Sequence, residues 1–95
     1  MVITDEVYEH LVYDEHEHVP IATLPDMWER TLTLSSAGKS YSFTGWKVCW
    51  ATGPAPLVQA VLAAKQWLSF SSGTPLQYAV AHALEHEPDF QPVTE

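Results

Sequence analysis

Val2, Ile3 and Thr4 are β-prone and Asp5 follows at once, a pattern that predicts a short buried strand ending on an acid. From Glu6 to Tyr13 the spacing changes. Val7 and Leu11, with Tyr8 beside them, recur on one helical side and predict a short helix. The periodicity then stops: residues 14–18, DEHEH, read as a polar loop, Pro20 and Pro25 punctuate the next stretch, and 25–29 has room for one helical turn. Thr31–Leu34 predicts a second strand and residues 46–52, WKVCWAT, a third, closed by Gly53-Pro54. Trp46, Val48 and Trp50 would then share one face, most simply for core packing. Two helices come next. Over 56–70, Leu57, Val58, Val61, Leu62 and Leu68 make an apolar stripe interrupted by Lys65. After it Thr74 reads as an N-cap with Pro75 at the first helical position, burying Leu76, Ala79, Val80, Ala83 and Leu84. Residues 88–95 hold two prolines without periodicity and read as a frayed tail.

Connection lengths constrain how these strands pair. Roughly 26 residues separate the first from the second, enough for a right-handed parallel crossover, whereas about ten separate the second from the third, which favours an antiparallel return. The expectation is an α/β fold with a mixed sheet. About three strands are too few for an ordinary free-standing α/β domain, so residues 1–87 are expected to be part of a larger one.

Composition narrows the function. The chain has 95 residues, a net charge of −8 and only four basic side chains, Arg30, Lys39, Lys47 and Lys65. Without a clustered basic patch, nucleic acid and anionic membranes are poor partners. One cysteine, Cys49, excludes an intrachain disulfide and a cysteine metal cluster, and reads as a small buried hydrophobe. No apolar run approaches membrane-spanning length and the N-terminus lacks signal-peptide character, so a cytoplasmic protein is expected.

The candidate chemistry lies in residues 35–47, SSAGKSYSFTGWK, where Lys39 stands among small residues. Burial lowers the pKa of a lysine amine, and a neutral amine is what Schiff-base chemistry needs; the plain alternative is an exposed turn. Gly38-Lys39-Ser40 also matches the end of a phosphate-binding P-loop, but the leading glycine would fall on Thr33, which rejects that reading.

Thr4-Asp5-Glu6-Val7-Tyr8 (TDEVY) and residues 35–54, SSAGKSYSFTGWKVCWATGP, together resemble the pyridoxal-phosphate-dependent class I/II aminotransferases of fold type I. The resemblance runs from residue 1 to about 87 and implies part of their large domain, a mostly parallel mixed sheet with flanking helices. It implies a role for five residues. Lys39 would bind pyridoxal 5'-phosphate covalently and then serve as general base; Asp5 would pair with the pyridine nitrogen; Tyr8 would donate to the phenolic oxygen, helical spacing placing it on the side of Asp5. Ser36 and Lys47 match the family's phosphate-binding positions. Lys47 stands where the family usually has arginine, and Gly45-Trp46-Lys47 looks like the kynurenine-type and succinyldiaminopimelate-type branches; Cys49 replaces a common glycine.

The resemblance implies transamination between an amino acid and a 2-oxo acid such as 2-oxoglutarate, on N-succinyldiaminopimelate or alternatively as a kynurenine-type transaminase with cysteine-conjugate β-lyase activity. It also implies a homodimer. Similar enzymes take a glycine-rich phosphate loop, a ring-stacking aromatic and a carboxylate-clamping arginine from other parts of the chain, so these 95 residues alone are expected to be inactive. Two other readings compete. An acidic interaction or metal-binding module would make Asp5 a helix cap, Tyr8 core and Ser36 a turn residue; a lyase would use the same Lys39 and Asp5. His10, His16 and His18 among acids, and His82 with His86, have metal-ligand chemistry, but a solvated loop gives no fixed tetrahedral set, and no metal is expected.

Overall fold

In a computed structural model, residues 1–86 are described; the tail expected at 88–95 lies outside them. Three strands form one sheet in the order β1 (Val2–Asp5), β2 (Thr31–Ser36), β3 (Cys49–Thr52). β1 runs parallel to β2 with Val2 opposite Thr31 and Asp5 opposite Leu34, and β3 returns antiparallel with Ser36 opposite Cys49. The pairing is the one that the connection lengths require. Three helices come after β2: α1 (Ala37–Ser40), α2 (Ala55–Leu68) and α3 (Thr74–His86).

Several local expectations differ. Residues 7–10 form a turn and 11–13 are irregular, where a helix over 6–13 is expected. Glu9 N donates to Glu6 O at 2.9 Å and Leu11 N to Tyr8 O at 2.9 Å, closing i to i+3 rings. An eight-residue helix is marginal in water, and Glu6 and Glu9 hold tertiary partners instead. The single turn expected at 25–29 is a turn followed by a 3-10 segment, Trp28–Arg30. The third strand starts three residues late, because Thr44–Trp46 is a 3-10 turn and Lys47 is left-handed at φ 55°. Trp46 therefore does not share a strand face with Val48 and Trp50. Thr74 already lies within α3, whose first bond runs from Gln77 N to Gly73 O, so the cap falls one residue earlier than expected.

The core is thin. Leu32, Ala37 and Val80 are the buried apolar residues among those described, and the radius of gyration of 14.5 Å exceeds the about 12 Å of a compact domain this long. β1 is half open, with Ile3 exposed, because nothing among the described residues covers its outer face. Of the face expected to be buried on α3, only Val80 is enclosed; Ala79 and Leu84 are exposed, as are Leu62, Leu68 and Trp67 on α2. The apolar stripes exist, but most of their covering surface is not in this chain's described part.

Gly53 marks a close approach. A Cβ there would sit 2.7 Å from the Thr31 carbonyl oxygen, a backbone atom held in the β1–β2 ladder. Gly53→Ala is expected to destabilise the protein by about 1–3 kcal/mol, the range for overpacking. Gly45→Ala, where a Cβ meets nothing within 4 Å, should leave the unfolding midpoint nearly unchanged. Thermal unfolding of the two variants checks the pair.

Candidate functional site

Parallel β1 and β2 end on the same side of the sheet, where β3 begins, so the chain's chemistry is gathered at strand C-termini, the usual ligand edge of open α/β sheets. Asp5 closes β1, and its Oδ1 accepts the Val7 amide at 3.2 Å, a local turn that starts the next segment. The ladder runs one bond further, from Glu6 N to Leu34 O at 2.8 Å.

The small residues around Lys39 have a steric cause. Ala37 is fully enclosed and its amide reaches Val48 O at 3.2 Å; a Cβ on Gly38 would meet Thr44 Cα at 3.1 Å, and Thr44 Oγ1 donates to Gly38 O at 3.1 Å. Tyr41 stacks on Phe43, and Phe43 packs tilted against Trp46, with centroids 5.6 and 4.8 Å apart. The segment thus folds tightly back on itself. That return brings Lys39, at the end of α1, and Lys47, at the entry to β3, to one cleft.

The cleft encloses about 490 Å³, and Asp5, Ser36, Lys39 and Lys47 all line it. Tyr8 stands beside it, with its ring centroid 5.6 Å from Lys39 Nζ. All five candidate residues are therefore brought together, although turns and not helical spacing place Tyr8. Lys39 itself is exposed among the described residues, not buried as a reactive lysine among small residues would be. Cys49 is exposed on the cleft wall rather than buried, and it sits in a regular strand opposite Ser36, so a side chain is accommodated where glycine is common.

Lys65 is legible in the sequence only as an interruption of a stripe, yet it lines the same cleft. Its Nζ donates to Phe70 O at 3.4 Å while its own carbonyl accepts the Ser69 and Phe70 amides, closing the end of α2. Three of the four fixed cations in a chain of charge −8 thus face one cavity, and Asp5 is its sole acid among the described residues. Such a donor set suits a dianion carrying a cationic group at its far end.

The acidic-histidine run has a different use. His18 Nε2 donates to Glu6 Oε2 at 3.0 Å, and Glu6 Oε1 accepts the Ile21 amide at 3.3 Å; Glu6 is only 6% exposed. Among the described residues no three histidine, cysteine or acidic side chains converge as a metal set. On α3, His86 Nδ1 lies 2.9 Å from the His82 carbonyl oxygen, and the two imidazoles stack with centroids 4.1 Å apart. No helix among the described residues is long and apolar enough to cross a membrane.

Comparison with known proteins agrees with this geometry. Residues 1–95 match the family described as aminotransferase class I and II. The chain belongs to that family. It is 58% identical over 87 residues to the probable N-succinyldiaminopimelate aminotransferase DapC of Mycobacterium tuberculosis, covering 92% of this chain and 22% of the relative. It is 55% identical over 84 residues to the kynurenine–oxoglutarate transaminase of Dictyostelium discoideum, covering 88% of this chain and 19% of the relative. The solved structure of N-succinyldiaminopimelate aminotransferase from Mycobacterium tuberculosis superposes with a TM-score of 0.87 at 58% identity, over 90% of this chain and 22% of that one. The class I and II aminotransferase sheet is thus of the fold type I, α/β kind, and the chain spans about a fifth of the length of the relatives it matches.

Proposed function

We propose that this chain is the cofactor-binding part of a pyridoxal 5'-phosphate-dependent aminotransferase, within a longer parent protein. The observation that carries the reading is the convergence of Asp5, Ser36, Lys39 and Lys47 on one cleft, with Tyr8 against Lys39. An acidic interaction module gives no reason for a chain so poor in cations to spend three of them on one cavity.

The cleft's donors fit the group. Ser36 and Lys47 would hold its phosphate, by a hydroxyl and an amine in place of an arginine fork. Lys47 occupies a left-handed conformation that costs a non-glycine residue about 1–2 kcal/mol, a strain that is a reason to look for a function there. Asp5 would face the pyridine nitrogen and keep its proton in place, and Tyr8 would donate to the phenolic oxygen. Lys39 Nζ would condense with the aldehyde carbon with loss of water and, once the substrate's amine had replaced it there, would as a free amine take the proton from the substrate's α-carbon. When bound, pyridoxal 5'-phosphate supplies the electron sink that makes that α-proton acidic.

The amino group would pass to a 2-oxo acid, 2-oxoglutarate being the acceptor in the name of the Dictyostelium relative. N-succinyldiaminopimelate is the amino compound proposed, on the similarity to the mycobacterial enzyme; kynurenine is the second reading. The parent is proposed to be a cytoplasmic homodimer, and residues 1–95 alone to be inactive. The test is the full-length parent with pyridoxal 5'-phosphate, followed by N-succinyldiaminopimelate and kynurenine as separate donors to 2-oxoglutarate. A visible band that shifts with a donor, and glutamate formed with it, supports the reading. A folded parent that takes up no cofactor overturns it.

A further inference from the structure

Tyr8 is more than half exposed and lies on a run of turns, so neither packing nor a helix holds its ring beside Lys39. Two flanking carboxylates tie the turn that carries it to the rest of the fold. On one side Glu6 is enclosed and takes His18 and the Ile21 amide, tying the turn to the returning crossover. On the other, Glu9 Oε1 accepts the Ser35 hydroxyl at 2.6 Å across 26 residues of sequence. Ser35 is buried in β2, one residue before Ser36, where it too lines the cleft while its hydroxyl is engaged by Glu9. The Glu9–Ser35 bond therefore joins the segment that carries Asp5 and Tyr8 directly to the strand that delivers Ser36 and Lys39. His10 Nε2 also lies 3.9 Å from the same Glu9 oxygen, beyond hydrogen-bond reach.

We propose that Glu9 and Ser35 form a strap that positions the Tyr8 hydroxyl over the cofactor end of Lys39. The inference rests on the pyridoxal 5'-phosphate reading and adds two positioning residues to it. A short bond to a charged acceptor is among the stronger hydrogen bonds, and Ser35 sits on a strand paired on both edges, so the strap transmits the sheet's rigidity to an otherwise exposed ring. With the strap cut, the turn keeps its fold through Glu6, but the Tyr8 ring loses its fixed distance from Lys39.

The test uses the full-length holoenzyme and the pH midpoint of its Lys39-dependent visible band. A phenol donating to the cofactor's phenolic oxygen stabilises the deprotonated form, so weakening that contact moves the midpoint upward. Glu9→Ala and Ser35→Ala should each raise it by about half a unit, part of the effect of one hydrogen bond. Glu9→Gln keeps an acceptor oxygen and should restore the wild-type midpoint. In a Tyr8→Phe background, Glu9→Ala should add nothing, since the group through which it acts is gone. A purely structural role would lower stability in every background and leave the midpoint where it was. An unshifted midpoint in Glu9→Ala, or a shift that persists without the Tyr8 hydroxyl, overturns the strap while leaving the cofactor reading intact. No Lys39-dependent band in folded wild type overturns both.

Discussion

Lys39→Ala in the full-length parent is expected to abolish the visible band of the bound cofactor and to cut turnover by about four orders of magnitude, the scale of losing both a nucleophile and a general base. The geometry makes the loss specific. Lys47 and Lys65 also line the cleft, so two of its three cations remain and the phosphate-binding charge is largely kept. Neither lies on α1, which places Lys39 beside the Tyr8 ring. Cofactor should consequently still bind, without the covalent signature. The removed side chain is exposed, so folding should be nearly unaffected. Absorbance, single-turnover kinetics and a melting curve measured together decide the matter: a Lys39→Ala protein that retains the band would show that another amine is the anchor.

Asp5→Asn should bind cofactor yet lose about 10²–10³ in kcat, the size of one well-placed electrostatic contact in a closed site. Asparagine keeps the shape and an oxygen to accept the Val7 amide, which Asp5 Oδ1 takes at 3.2 Å, so the turn leading to Tyr8 should survive. Only the negative charge goes. Asp5 is the sole acid among the described residues of a cleft lined by three lysines, hence no neighbouring carboxylate of this segment can hold a proton on the pyridine nitrogen in its place. Activity within a few fold of wild type would remove Asp5 from the site; Asp5→Glu, which retains charge at a longer reach, should fall between the two.

Strand pairing is legible in the sequence because connection length is a geometric constraint: the long run from Asp5 to Thr31 permits a parallel return and the short one from Ser36 to Cys49 does not. The candidate residues are legible as motif positions, and the fold puts Asp5, Ser36, Lys39 and Lys47 on one cleft with the Tyr8 ring 5.6 Å from Lys39 Nζ. The turn at 7–10 is not. Val7 and Leu11 have helical spacing, but Glu6 and Glu9 find their partners 12, 15 and 26 residues away, and nothing local encodes those bonds. Likewise the late start of β3 comes from the 3-10 turn at Thr44–Trp46 and the left-handed backbone of Lys47 after it. Lys65 reads as a flaw in an apolar stripe until the fold turns it toward the cleft. The stripes of α2 and α3 are right in spacing and wrong in burial, since periodicity reports that a face is apolar and not what covers it.

The crossover between β1 and β2 divides into a tolerant part and an intolerant one. Residues 11–17 are all exposed, whereas His18 and the Ile21 amide are clasped by Glu6 and the β1–β2 register sets Asp5 against Leu34. Lengthening a flexible loop even twofold costs only about 0.6 kcal/mol, while slipping a strand by one residue turns every side chain to the opposite face. Insertions and deletions between Val12 and Glu17 should therefore leave the cleft's geometry in place, whereas a change of length within β1 or β2 would not.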